Sequence, residues 1–418
     1  MKHRPYPSYI NAESLWTDSI PSQWDIKQVK HLFSLGRGRV IAETELDHDG
    51  KYPVYSSQTQ NDGCMGYIKS YDFDCEQLTW TTDGANAGTV FLRNGKHNCT
   101  NVCGTLKPIN NDGFSLRFYL HALSYITQFY KRPDTNGAKI MNGEMAVIKV
   151  PSPPIQEQNK ISEFLDRETA KLNTLITKQE KLIELLQEKR QAIISHAVTK
   201  GLDPNVRMKD SGVEWLGMVP EHWEVLKGKK LFDIAKRIAG KLGYDVLSIT
   251  QKGIKVKDVT SGDGQLSMDY SKYQLVQEGD FAMNHMDLLT GFVDISKFNG
   301  VTSPDYRVFK LKDKFKSLPE YYLFILQNCY TEKLFFPYGQ GSSQLGRWRL
   351  PTEAFNYFNY PSPPYEEQLK IVQFLKDHIS RIDTLITKSE SSIELAKEHR
   401  TALISAAVTG KIDVRDYA

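Results

Sequence analysis

Residues 151–165 read PSPPIQEQNKISEFL, and residues 361–375 read PSPPYEEQLKIVQFL. Carried forward at a constant offset of 210, residues 151–203 match 361–413 at 28 of 53 positions without a gap. The shared blocks include PSPP, EQ, TLITK, IEL and AVT. An internal repeat of this strength organises the rest of the chain. A fainter repeat lies at an offset of 199, where Trp16, Pro21, Trp24, Leu32 and Phe33 correspond to Trp215, Pro220, Trp223, Leu231 and Phe232. The 418 residues are therefore two tandem halves, each a leading segment, a variable middle and a near-constant tail. Tails kept alike while middles differ imply one kind of partner met twice, or each other, and two different targets.

Both tails read as long helices. Ile161, Leu165, Leu172, Leu175, Leu182, Leu186 and Ile193 fall at heptad a and d positions, and the second tail repeats the apolar stripe with Ile371, Leu375, Ile382, Leu385, Ile393 and Leu403. Pro154 and Pro364 suit the first turns, and Gly201 and Gly410 suit the stops. A helix of this length cannot bury its stripe alone. An antiparallel two-helix coiled coil is the expected pairing for two related halves. Ile176, Ile183 and Ile194 widen the stripe and leave room for a further helical partner.

The middles read as mixed sheet and turn. Gln77–Thr81, Thr89–Leu92 and Gly104–Leu106 are short strands separated by turn signals such as Asn61-Asp62-Gly63 and Arg93-Asn94-Gly95. Residues 115–130 and 319–335 read as helices, and a polar Gly-containing loop precedes each tail (131–139 and 338–349). The fold class is α+β: two globular mixed domains (1–150 and 206–360), each followed by a helical spacer (151–205 and 361–418), in a pseudo-twofold tandem repeat.

The chain carries no phosphate-cradling GxxxxGK[ST], no GxGxxG after a strand, no HExxH and no Asn-Pro-Pro-aromatic signature. Cys64, Cys75, Cys99 and Cys103, with His97 nearby, lack zinc spacing and read as reduced cysteines on buried strands. No stretch is apolar enough to span a bilayer, and no apolar region follows the basic Met1–Tyr6. Catalytic and metal residues are expected to be none, and the compartment cytoplasmic. The net charge of +3 is too small to argue for nucleic acid by itself.

The two PSPP blocks resemble the proline-proline-x-x-glutamate-glutamine opening of the conserved regions of type I restriction–modification specificity subunits. SGVEWLGMVPEHWEV (211–225) resembles their usual lead into the second recognition domain, and INAESLWTDSIPSQW is a degraded copy of it. The resemblance spans essentially the whole chain. It implies two target recognition domains on an antiparallel helix pair, each reading one half of a bipartite double-stranded DNA target. It implies that the helices set the spacer and dock two modification (methyltransferase) subunits, which bind S-adenosylmethionine and methylate adenine at N6. It further implies restriction subunits using ATP and Mg that complete the complex, and no cofactor in this chain. A coiled-coil scaffold with two protein-binding domains is the alternative.

Base edges are read by Arg, Lys, Asn and Gln. The DNA-contacting candidates in the first domain are Ser57, Gln58, Thr59 and Gln60; Thr82, Asp83 and Asn86; and Arg132, Asn136 and Lys139. In the second they are Thr250, Gln251 and Lys252; Asn284, His285 and Asp287; and Gln340, Gln344, Arg347 and Arg349.

Overall fold

A computed structural model describes residues 4–110, 113–135, 137–258, 269–341 and 348–417. Compactness divides the chain into Met1–Glu180 with Glu390–Ala418, and Lys181–Ser389. Each unit therefore holds one mixed α+β domain and a stretch of both long helices.

In the first unit an antiparallel sheet runs in the order Val90–Arg93, Gln77–Thr81, Cys103–Pro108, Phe33–Arg37. Its strand Gln77–Thr81 is buried along its whole length. Leu78 and Trp80 join the core that also takes Phe118, Tyr119, Ala122, Leu123 and Ile126 of the helix Leu116–Ile126. That helix is shorter than its apolar pattern predicts, and its last turn tightens into a 3-10 turn at Thr127–Phe129. A second sheet, Cys64–Ile68, Tyr52–Tyr55, Lys96–Cys99, Phe73–Asp74, includes one parallel pairing, between Tyr52–Tyr55 and Lys96–Cys99. Strand Lys149–Ser152 closes the domain against Asp25–Gln28.

The second unit has an antiparallel sheet in the order Phe232–Ile234, Arg307–Leu311, Phe281–Met283, Val293–Ile295. The helix Pro319–Thr331 packs with it through Tyr321, Tyr322, Ile325 and Leu326. Strand Glu224–Lys227 pairs with Asn359–Ser362, the counterpart of the closing pair in the first unit.

The repeated residues perform the same work in both units. Trp24 Nε1 donates to the Glu157 carboxylate at 2.7 Å, and Trp223 Nε1 donates to Glu367 at 3.0 Å. A buried indole needs such an acceptor. Gln158 Oε1 accepts from the Ser115 amide at 2.9 Å, and Gln368 Oε1 accepts from the Leu318 amide at 2.7 Å. Ser115 and Leu318 are the N-cap residues of the two domain helices. Each glutamine also donates to a proline carbonyl, Pro153 or Pro363. The Glu-Gln pair is thus a joint that ties each domain to the start of its long helix.

The long helices are continuous from Ile155 to Lys200 and from Tyr365 to Val408, each about 65–70 Å at 1.5 Å per residue. Gly201 and Gly410 follow them at φ +79° and +70°, a conformation that stops a helix and favours glycine. In the first unit Ile161 and Leu165 share a core with Leu403, Ala407 and Val408, and Arg400 Nη1 donates to Asn173 Oδ1 at 2.7 Å. Low numbers of one helix meet high numbers of the other, so the pairing is antiparallel. In the second unit Ile194, Ala197 and Val198 share a core with Ile371, Val372 and Leu375. Arg190 there faces Asp383 at 3.4 Å. Asn173–Arg400 and Asp383–Arg190 are the same pair, one repeat of 210 apart.

The seam differs from the sequence reading. Leu172, Ile176, Gln179, Ile183, Leu186 and Arg190 turn inward, as do Ile382, Ile386, Ser389, Ile393, Ala396, Arg400, Leu403 and Ala407. Leu175 and Leu182 are 40% and 42% exposed, and Leu385 is exposed as well. Ile193 is half-buried beside the buried Ile194. Seam positions held by Gln179, Ser389 and the two arginines carry no apolar signal, so a purely apolar frame slides onto the outward leucines.

Candidate nucleic-acid interface

In the first domain the candidates gather along one chain of contacts. Asn86 Nδ2 donates to the Ser57 carbonyl at 3.2 Å, joining loop 57–60 to the turn after Asp83. The short strand Asp83–Gly84 pairs with Gly137–Lys139, which pairs with Arg132–Asp134. The segment 131–139, expected as a loop, is thus largely hairpin. Gly137 makes this possible: a Cβ there would lie 2.9 Å from the Gly84 backbone. Arg132 is exposed beside Glu144, and Lys139 pairs with Asp134 at 2.8 Å. Thr82 does not belong to this edge. It is fully buried and donates to the Val102 carbonyl. Asn136 lies outside the described residues.

The shape of loop 57–60 is set from beneath by Arg93, which the sequence reading assigns to a turn and the structure places at the end of the strand Val90–Arg93. Asn61, Asp62 and Gly63 take φ +49°, +53° and +78° in succession, a costly run for non-glycine residues. Arg93, 1% exposed, holds it. Its Nη1 donates to the Asp62 carbonyl at 2.8 Å and to the carboxylate at 2.9 Å, and Nε donates to Thr79 Oγ1. Its guanidinium lies 3.6 Å from the Tyr55 ring centroid and 4.4 Å from that of Phe91. Arg93→Met is expected to cost about 1–3 kcal/mol of stability, the loss of charge-assisted bonds with Asp62 returned to water. Denaturant unfolding tests this; unchanged stability would dismiss the clamp.

In the second domain Asn284 and His285 follow the strand Phe281–Met283. The Leu350 amide donates to the His285 carbonyl at 2.8 Å, and Leu288 N donates to the Trp348 carbonyl at 2.9 Å. Gln340 and Arg349 pair through two backbone bonds, at 2.8 and 2.9 Å. His285 and Arg349 thereby line one cleft. The Asp287 carboxylate is occupied by the Leu289 and Thr290 amides and the Thr290 hydroxyl, which makes it a turn-former. Thr250 closes a hairpin turn onto the Gly253 carbonyl. Gln251 and Lys252 line a different cleft, with Arg190, Phe324 and Asn328, so the second set does not converge as the first does. Gln344 and Arg347 lie outside the described residues.

Catalytic alternatives in the first domain meet a physical obstacle. His97 is buried, Gly95 O and Gln77 Nε2 occupy its two ring nitrogens, and burial lowers its basicity. Burial pushes the Cys103 thiol up to about 11 and Cys99 higher still, so neither is a ready nucleophile. Among the described residues no group of three or more His, Cys, Asp or Glu is placed to hold a metal ion. Among them, too, no helix is long and apolar enough to cross a membrane.

Residues 21–185 and 220–395 each match the family model described as type I restriction modification DNA specificity domain. The chain belongs to that family. A putative type I specificity subunit of Mycoplasma pneumoniae, S.MpnORF289P N-terminus, is 41% identical over 140 residues, covering 33% of this chain and 74% of that one. A second, S.MpnORF285P, is 36% identical over 156 residues, and the match spans half its length. The type I restriction enzyme MjaVIII specificity subunit of Methanocaldococcus jannaschii is 25% identical over 425 residues, 95% of each chain. Among solved structures, one described for complex assembly and conformational transition of the type I R-M system aligns with a TM-score of 0.68 at 12% identity, over 94% of this chain and 99% of that one. The HsdS subunit from Thermoanaerobacter tengcongensis aligns at 0.51, also 12% identical, over 94% and 98%. These likenesses show the fold.

Proposed function

We propose that this chain is the non-catalytic DNA-reading subunit of a type I restriction–modification complex, each domain reading one half of a bipartite duplex target. The observation that carries the reading is a constant frame bearing unlike edges. Identical Trp–Glu and Gln–amide joints hold two domains whose candidate loops share neither sequence nor arrangement. The paired helices set the unspecified spacer. They also dock two methyltransferase subunits, for which the outward Leu175, Leu182 and Leu185 of the first long helix offer apolar contacts. Those partners bind S-adenosylmethionine and methylate adenine at N6. Restriction subunits supply the ATP- and Mg-dependent chemistry. The complex works in the cytoplasm, and this chain carries no cofactor of its own. Long-read methylation profiling of the host, with and without the gene, tests the proposal. The expected result is an adenine-methylated split motif that vanishes with the gene. An unchanged methylome in a host with active methyltransferase partners would overturn it.

A further inference from the structure

Among the described residues, the second domain buries a cation without a counter-charge. Arg307 opens the strand Arg307–Leu311 on the same face as Phe309 and Leu311, and it is 3% exposed. Its Nη2 donates to the Leu350 carbonyl at 3.1 Å and to Thr352 Oγ1 at 3.3 Å, and its guanidinium lies 4.7 Å from the Phe355 ring centroid. Its Nη1 has no hydrogen-bond partner among the described residues. No carboxylate among the described residues forms an ion pair with it. Buried charges are normally paired, so an unpartnered guanidinium points to a missing anion.

The surroundings agree. Arg307 lines a cleft of about 370 Å³ together with His285, Lys236, Arg349 and Thr352, and among the described residues Asp305 is the only acidic side chain lining it. Lys236, Arg349 and Asp305 are exposed, whereas His285 is buried and its Nδ1 also has no partner among the described residues. Burial, then the charges of Arg307 and Arg349, lower His285 to about 3, which keeps the imidazole neutral. The cleft therefore offers a buried guanidinium, a neutral ring and two outer cations.

We infer that this cleft is an oxyanion site that seats one backbone phosphodiester of the bound DNA, with Nη1 of Arg307 as its buried donor. The inference rests on the DNA-reading function proposed above and adds a contact to it. A bidentate grip on a guanine edge draws on two neighbouring nitrogens of one guanidinium, Nη2 with either Nη1 or Nε. Arg307 has already committed Nη2, and a single charged donor suits a phosphate oxygen. Such a contact fixes register on the duplex and carries no sequence information.

The test uses the full chain assembled with its methyltransferase partners, on duplexes bearing the motif found by profiling. Each linkage of the half-site read by the second domain is replaced in turn by an uncharged methylphosphonate. One linkage should weaken wild-type binding about tenfold, as the loss of a charge-assisted bond would. The same linkage should have little further effect on Arg307→Met. That variant should keep its base preferences and lose about one unit of salt slope. If Arg307→Met does not fold, Lys236→Gln and Arg349→Gln, both exposed, must show the coupling instead. Tight wild-type binding with no coupled linkage overturns the site, and so does a variant that relaxes one base position at unchanged salt slope. Stabilisation of the DNA-free complex by inorganic phosphate, lost in the variants and accompanied by no coupled linkage, assigns the cleft to a free anion and overturns the DNA contact. Failure of the wild-type complex to bind any bipartite duplex overturns the function itself.

Discussion

Exchanging residues 25–150 for the matching segment of another specificity subunit is expected to replace the bases read in one half-site entirely, leaving the other half and the spacer as they were. The geometry favours the graft. Its two ends are neighbours, because Asp25 and Val150 lie on paired strands, with Asp25 opposite Ser152 and Val150 opposite Lys27. The joint residues Trp24, Glu157 and Gln158 all stay with the host chain. The one hydrogen bond of Gln158 that reaches into the graft goes to a backbone amide, that of Ser115, which any donor residue but proline supplies. The side chains at risk are Arg117 and His121, which meet Asp166 of the first long helix at 2.7 and 2.8 Å, and the apolar residues such as Phe118 that share a core with Ile161 and Leu165, so a donor that keeps them should fold. The readout is the methylated motif in cells carrying the chimaera. A motif altered in both halves, or in neither, would mean that the domains do not read independently.

How far the sequence reaches depends on which physical signal a residue leaves. The repeat, the two long helices and the strand Gln77–Thr81 were legible because burial demands apolar periodicity, and periodicity survives in a single sequence. The helix seam was legible only in part, since Gln179, Ser389, Arg190 and Arg400 occupy it. Tertiary pairing there accepts polar residues that a heptad template rejects. Loop candidates were legible by residue type but not by role. Thr82 and Asp287 carry suitable groups, yet Val102 and the 289–290 turn consume them. Arg93 reads as the start of a turn, and both it and Arg307 stand on strands, outside the loop setting that marks a base-reading arginine. Alternation did contain a signal for one of them. Arg307 stands two and four residues before Phe309 and Leu311, on the face that must turn inward. An arginine in phase with a buried apolar face deserves the question of what pairs with it.

The helices provide the second large effect. Thr174-Leu175-Ile176-Thr177 recurs as Thr384-Leu385-Ile386-Thr387. Duplicating both blocks is expected to lengthen the unspecified spacer by one or two base pairs while both half-sites keep their bases. Four residues add about 6 Å of helix, against about 3.4 Å per base pair of duplex. Both insertions are needed for a reason visible in the pairing. One falls between Asn173 and Arg190, the other between Asp383 and Arg400, so Asn173–Arg400 and Arg190–Asp383 both survive. Duplicating one block alone leaves the helices four residues out of step and should destabilise the chain while it lengthens the spacer less cleanly. Four residues also exceed the 3.5-residue repeat by half a residue, which locally unwinds a left-handed pair. Duplicating the full heptads 174–180 and 384–390 keeps the seam in phase. It should add about 10.5 Å, or roughly three base pairs, with less loss of stability than the four-residue form. Methylation profiling reads the spacer directly. A spacer that ignores both insertions, or half-sites that change with them, would remove the helices from the role of ruler and leave them only that of a frame.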